Sequence, residues 1–298
     1  MSFSAQIKTE LCRNGIGDKS CAVAECCGIL LYCSRFDGEG IRVATASEPF
    51  AKRLPKLFKK AFGVTFDAGS ETTQTGRSVF SVTDTEKLNA IFDVCGYDRE
   101  RHTAHHVNFA VLEEEGCLQS FLRGAFLAGG SVSDPEKSYH MELVTEHYYV
   151  NREVMSALSE LGFRAGSALR GGRYLLYFKN SVIIEDLLTS MGAPVSAMGI
   201  MQEKINKSMK NSVNRQINCD EANSDKTVAA AERQLTAITQ LRERGELEGL
   251  PDKLRETAYL RLENPELSIA QLAEMCDPPV TKSCLNHRLR RLMELAGE

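Results

Sequence analysis

Apolar residues recur along this chain at spacings that change from region to region, and the spacings predict its elements. Phe3, Ile7 and Leu11 stand four apart behind Ser2, which predicts a short amphipathic helix capped by a serine hydroxyl. Residues 121–135, FLRGAFLAGGSVSDP, join helical spacing to a run of small side chains. Ser120, Gly124 and Ala128 fall four apart, so one stripe of that helix is nearly bare and a second helix can approach its backbone. Gly129 and Gly130 are expected to end the helix, because glycine readily takes the left-handed conformation of a helix C-terminus. Farther on, Val228, Ala231, Leu235, Ile238 and Leu241 predict an amphipathic helix of about twenty residues, roughly 30 Å long, behind an asparagine-rich stretch at 211–223. Gly245 and Gly249 loosen the chain after it.

The first two thirds contain a weak internal repeat. Residues 26–34 (CCGILLYCS) match 122–130 with Gly28 opposite Gly124, an offset of 96. The helical stretch ending at Gly63 matches the one ending at Gly162. Strand-like RSVFSVTD at 77–84 matches RYLLYFKN at 173–180, and TEKLNAIFDVCG at 85–96 matches SVIIEDLLTSMG at 181–192. Four elements recurring in one order imply two similar substructures in contact, each reading helix, strand pair, helix, strand pair, helix. Joined through Gly28, Gly124 and Ala128, they predict a pseudo-symmetric α+β unit with one open sheet face. Arg42, Arg77, Arg164, Arg170, Arg173 and Lys179 fall in or near its strands, where they serve either phosphate contact or ordinary solvation.

The last fifty residues read as helix, turn, helix. Pro251 and Asp252 suit a first turn, Leu254, Ala258 and Leu262 give a buried stripe, and Asn264 with Pro265 stop the helix. Ser268 and Gln271 form a capping box, with Leu267 and Leu272 placed as its hydrophobic staple. The prolines of CDPPV (276–280) force a turn, Thr281 caps a further helix, and Leu285, Leu289 and Leu292 make that helix's inner face. Lys282, Ser283, Asn286, His287, Arg290 and Arg291 are left outside. Asparagine and arginine offer paired hydrogen bonds to base edges, while lysine, serine and threonine at a helix start satisfy phosphates. The layout is that of a helix-turn-helix DNA reader, with Ser268, Gln271, Thr281, Lys282, Ser283, Asn286, His287, Arg290 and Arg291 as its contact residues.

Composition narrows this only a little. At 298 residues the chain accommodates two or three domains, and a net charge of -4 means that DNA binding must rest on a local basic surface. Ten cysteines without a CxxC pair, a signal-peptide pattern or an apolar run of membrane length are read as reduced, several of them buried. The cluster Cys21, Cys26, Cys27 and Cys33 lacks a second paired set. His102, His105 and His106 have metal-like spacing but no nearby acid or cysteine in sequence. No metal or cofactor is expected.

Laid on a nine-residue motif, residues 122–130 resemble LAGLIDADG homing endonucleases, whose paired helices each deliver one carboxylate for metal-assisted cleavage. The glycines are kept, but Leu127 and Gly129 stand at the acid positions, and in the first copy Leu31 and Cys33 do. Together with SFSAQIKTEL, NRQINCDEANSDKT and LSIAQLAEMCDPPVTKSCLNHRLRRL, this makes nearly the whole chain resemble the bacterial WhiA family. The resemblance implies a saddle of two LAGLIDADG-like halves, a long connector helix and an all-α helix-turn-helix domain, divided as 1–20 (N-terminal helix), 21–112, 113–205, 206–249 (connector) and 250–298. It implies a cytoplasmic, nucleoid-associated protein that binds double-stranded DNA, acts in cell division, chromosome segregation and, in spore formers, sporulation, regulates transcription in some members, and has lost nuclease activity. Transcription or cell-division proteins are its expected partners, with no membrane and no small-molecule substrate. Two alternatives stand beside this reading: a residual nuclease using Asp134, Glu136 or His140, and a scaffold that binds a protein partner through the stripe from Val228 to Leu241.

Overall fold

In the computed structural model, which describes residues 2–72, 76–99 and 104–297, the chain forms two compact units, Met1–Asn206 and Lys207–Glu298. The first unit opens with α1 (Phe3–Arg13), whose cap Ser2 accepts a hydrogen bond from the Ala5 amide at 3.3 Å. Its first half runs α2 (Lys19–Tyr32), β1 (Arg35–Asp37), β2 (Gly40–Thr45), α3 (Glu48–Phe62), β3 (Ala68–Thr72), β4 (Ser78–Val82) and α4 (Thr85–Cys95). The second half repeats this as α5 (Cys117–Gly129), β5 (Gly130–Val132), β6 (Met141–Thr145), α6 (Tyr148–Glu160), β7 (Gly166–Arg170), β8 (Arg173–Phe178) and α7 (Ser181–Met191). Each half folds one antiparallel sheet, ordered β1-β2-β4-β3 and β5-β6-β8-β7. Residues alternate along the second strand of each half: Ile41, Val43 and Thr45 of β2 are buried while Arg42 and Ala44 are exposed, and Met141, Leu143 and Thr145 of β6 are buried, so one face lies on the helices and the other is open. Left-handed glycines end the matched helices α4 and α7, Gly96 at φ 76° and Gly192 at φ 99°.

The two halves meet along α2 and α5, where backbone replaces side chain. A β-carbon at Gly28 would lie 2.1 Å from the Phe121 carbonyl oxygen, and one at Gly124 would lie 2.0 Å from the Glu25 carbonyl oxygen. Ala128, farther along the same stripe, is half-buried. The glycines after it work differently from the expectation of a left-handed stop. Gly130 is extended, at φ -90° and ψ 148°. These two glycines are needed for space: a β-carbon at Gly129 would sit 2.5 Å from the Val144 oxygen, and one at Gly130 would sit 2.3 Å from the Phe126 ring.

Beside that contact lies a buried ionic cluster. Glu25, 1% exposed, takes both Nε and Nη2 of Arg53 at 2.7 and 2.8 Å, and Nε of Arg123 at 3.2 Å. The spare donors go to backbone: Arg53 Nη1 to the Asn14 oxygen at 2.5 Å and Arg123 Nη1 to the Met191 oxygen at 3.1 Å. The cluster therefore ties α1, α2, α3, α5 and the end of α7 together.

The connector differs from its expected length. One helix, α8 (Pro194–Glu243), runs for 50 residues, through Gly199 and the asparagine-rich stretch. Glu10 of α1 caps its start, accepting from the Val195 and Ser196 amides at 2.8 and 2.9 Å. Its last third belongs to the core of the second unit, where Ala237, Ile238 and Leu241 pack with residues of α9 (Asp252–Glu263), α10 (Ile269–Glu274) and α11 (Lys282–Ala296). The stripe proposed for a protein partner is thus largely used internally: Ala231, Ile238 and Leu241 are buried, Gln234 joins them, and only Val228 stands clear at 54% exposure. Each large aliphatic side chain sealed there contributes about 1.5–3 kcal/mol.

Candidate nucleic-acid interface

The geometry of α11 follows from its local sequence. Thr281 Oγ1 accepts from the Cys284 amide at 3.2 Å and starts the helix, and Leu285, Leu289, Leu292 and Ala296 anchor it from behind. Lys282, Ser283, Asn286, His287, Arg290 and Arg291 are all exposed. Ser283, His287, Arg290 and Glu294, spaced four, three and four apart, form the crest opposite the leucines, with Lys282 and Asn286 on one flank and Arg291 on the other. Glu294 pairs with Arg291 at 2.9 Å. The crest therefore ends in an acid–base pair, and its cationic and amide side chains lie between Lys282 and Arg290.

Ser268 and Gln271 are occupied with each other. The Ser268 hydroxyl accepts from the Gln271 amide at 3.4 Å and the Gln271 carboxamide accepts from the Ser268 amide at 3.0 Å, completing the capping box of α10. The turn at 276–280 is held by the Val280 amide donating to the Ala273 oxygen at 2.9 Å, with Cys276 buried at its start. Sequence reasoning missed Arg261, which is 1% exposed and donates from Nη1 to the Leu267 oxygen at 2.5 Å. The signal was present: Arg261 stands seven residues after Leu254 and three after Ala258, on the buried stripe of α9.

At the ends of α2 and α5, where the motif acids would stand, the backbone is closed by other groups. The Leu31 oxygen accepts from Thr145 Oγ1 at 2.8 Å, and the Leu127 oxygen accepts from Lys8 Nζ at 3.1 Å. The Cys33 thiol donates to the Leu30 oxygen at 3.2 Å, and burial pushes its pKa up to about 12. Asp134 is a turn residue: its side chain accepts from the Glu136 amide at 3.0 Å and its backbone oxygen from the Lys137 amide at 2.9 Å. His140 Nε2 lies 3.5 Å from Glu142. His102 lies outside the described residues. His105 contacts the Phe36 oxygen at 2.5 Å, and His106 pairs with Glu153 at 2.7 Å, an acid brought in from α6 that the local sequence did not reveal. The clustered cysteines disperse, Cys27 against Cys95 at 3.4 Å and Cys21 against Cys117 at 3.7 Å, and all ten are free.

On the open sheet face, Arg170 and Arg173 lie against acids. Arg170 meets Glu142 and Arg173 meets Glu146, each at 3.2 Å. Arg42, Arg77, Arg164 and Lys179 are exposed. Among the described residues no helix is long and apolar enough to cross a membrane.

Paired sheets on two glycine-apposed helices, with a capped helix-turn-helix unit in the same chain, define a LAGLIDADG-like protein carrying a C-terminal helix-turn-helix domain. Family models agree: the WhiA LAGLIDADG-like domain matches residues 118–210 and the WhiA C-terminal HTH domain matches 213–296. A probable cell division protein WhiA from Clostridium novyi is 35% identical over 311 residues, covering 100% of this chain and 98% of that protein. One of the same name from Ruminiclostridium cellulolyticum is 34% identical, covering 99% and 97%. The crystal structure of full-length DUF199/WhiA from Thermatoga maritima superposes with a TM-score of 0.61 at 25% identity, covering 100% of this chain and 98% of that one. The chain belongs to the WhiA family.

Proposed function

We propose that this chain reads double-stranded DNA with α11, serves cell division, chromosome segregation and transcription regulation at the nucleoid, and does not cleave the DNA it binds. The observation that carries the reading is the exposed surface from Lys282 to Arg290, crest and flank together, on a helix whose opposite face is fixed by three buried leucines. Such a helix presents asparagine and arginine to base edges without first ordering its backbone, and Lys282 with Ser283 places positive charge and a hydroxyl where phosphates pass. The relatives' name, probable cell division protein, supports the cellular setting. The LAGLIDADG-like unit acts as a platform in this reading, with residues 206–249 as its connector to the reader.

Loss of cleavage follows from the residue types at the motif positions. Metal-assisted phosphodiester hydrolysis needs hard oxygen ligands. Leu31, Cys33, Leu127 and Gly129 offer no side-chain oxygen, and the nearby carbonyls of Leu31 and Leu127 already accept hydrogen bonds.

Fluorescence anisotropy with duplex DNA tests the binding half. Asn286→Ala and Arg290→Ala are each expected to weaken binding by about 1–3 kcal/mol, and Lys282→Ala to weaken it alike on all sequences. Wild-type affinity in all three would overturn the assignment. Supercoiled plasmid incubated with magnesium or manganese should stay intact, and nicking abolished by Asp134→Ala would restore the enzyme.

A further inference from the structure

Arg261 heads the fully buried side chains by volume, and no carboxylate pairs with it among the described residues. Its Nη1 reaches the Leu267 oxygen, but its Nε has no hydrogen-bond partner. Burial alone holds its pKa below the ordinary arginine range. Gln234, 5% exposed, sits on the same cavity and leaves its carboxamide oxygen unpartnered as well. The cavity measures about 430 Å³, lies within the second unit, and is lined also by Lys226 and Ala230 of α8, Ser268 at the start of α10 and Lys282 at the start of α11. Three cationic side chains line it and no acidic one does.

An unpaired guanidinium out of water costs several kcal/mol, and the cost falls when an anion completes its hydrogen bonds. A guanidinium presents its N–H groups in a planar fork that fits phosphate oxygens, and two ammonium groups nearby suit a doubly charged group better than a single carboxylate. The Gln234 carboxamide, turned about its last bond, offers N–H donors to the same anion.

We propose that this cavity is a phosphate seat, in which Arg261, Lys226 and Lys282 hold one phosphate group beside the start of α11. Two sources supply that group. A backbone phosphate of bound DNA would make the seat the clamp that sets α11 in its groove, a case that rests on the DNA-binding reading. A free phosphate-bearing metabolite would make it an effector site, which does not.

The test uses the full chain with two variants that leave Arg261 and its contact to Leu267 in place: Lys226→Gln, at an exposed position, and Ala230→Leu, which fills the cavity without changing charge. Calorimetric titration with inorganic phosphate at constant ionic strength is the first arm. Saturable binding that weakens about tenfold or more in both variants supports the seat. The second arm measures duplex affinity against salt. A slope reduced by about one in both variants, with base preference unchanged, assigns the seat to a DNA phosphate. Phosphate binding lost from the variants with the slope unaltered assigns it to a free ligand. Absence of saturable phosphate binding together with an unaltered slope overturns the proposal, as does phosphate binding that is equal in all three proteins with an unaltered slope. Should the wild type bind no DNA at all, the DNA reading fails while the phosphate titration still decides the seat.

Discussion

Lys8 Nζ donates to the backbone oxygen of Leu127 at 3.1 Å, so an ammonium from α1 meets the last turn of α5 at a residue that stands in a motif acid position. A cation suits the negative end of a helix, yet burial holds this lysine down to about pKa 8, below its ordinary 10.5.

The depressed lysine has a consequence for stability. Between about pH 8 and 10.5 the unfolded chain carries a proton that folded Lys8 has released, so this residue's contribution to stability rises with pH through that window. Denaturant unfolding of wild type and Lys8→Met, compared below and inside the window, should show the wild type gaining on the variant by up to about 1.4 kcal/mol per pH unit. Parallel pH profiles would contradict the assignment.

Glycine has opposite consequences at two helical positions. Gly28→Ala would drive a methyl to within 2.1 Å of the Phe121 oxygen, and only parting α2 from α5 relieves it, so a loss of about 3 kcal/mol or more is expected. Gly199→Ala meets nothing nearer than the Phe3 ring at 3.8 Å and should stabilise the helix by about 0.5–1 kcal/mol. Thermal unfolding of the two variants checks both signs, and a neutral Gly28→Ala would mean that the helices do not meet there.

Glu25 holds two guanidinium groups, from Arg53 and Arg123, in a site that is 1% exposed at the carboxylate. Removing it leaves two cations without their counter-charge, so Glu25→Ala is expected to lose about 3–5 kcal/mol, and the double variant Glu25→Ala with Arg53→Met to recover part of that loss. Chemical denaturation measures both. A loss under about 1 kcal/mol would show that water reaches the cluster.

These residues also mark where sequence reading ends. The duplicated halves, the matched stretches that end at Gly96 and Gly192, the Ser268 and Gln271 box and the leucines behind α11 were legible because each is a pattern within a few residues or a repeat of one. Glu25, Arg53 and Arg123 were not, since their partners are distant in the chain and each alone looks like a solvated charge. The 50-residue α8 was missed for another reason: Ile205, Met209, Val213 and Ile217 keep a helical step of four through the asparagine-rich stretch, but they are exposed and the period was passed over among its polar residues. Gly129 and Gly130 were correctly placed at a helix end but assigned to backbone conformation, when crowding by Val144 and Phe126 is the cause. At the candidate interface the outward residues of α11 were readable from period alone, whereas Glu294, which limits the crest, belongs to the same face and was passed over.

In the proposed reading, α11 chooses the DNA sequence. Selection of bound duplexes from a random-sequence pool measures this most directly, performed in parallel with wild type, Asn286→Ala and Arg290→Ala. The wild type should enrich one motif, and each variant should lose discrimination at its own base positions while keeping the rest, at about 1–3 kcal/mol per lost contact. Recovery of the same motif, with the same preference at every position, from all three proteins would place sequence choice elsewhere in the molecule and contradict the account.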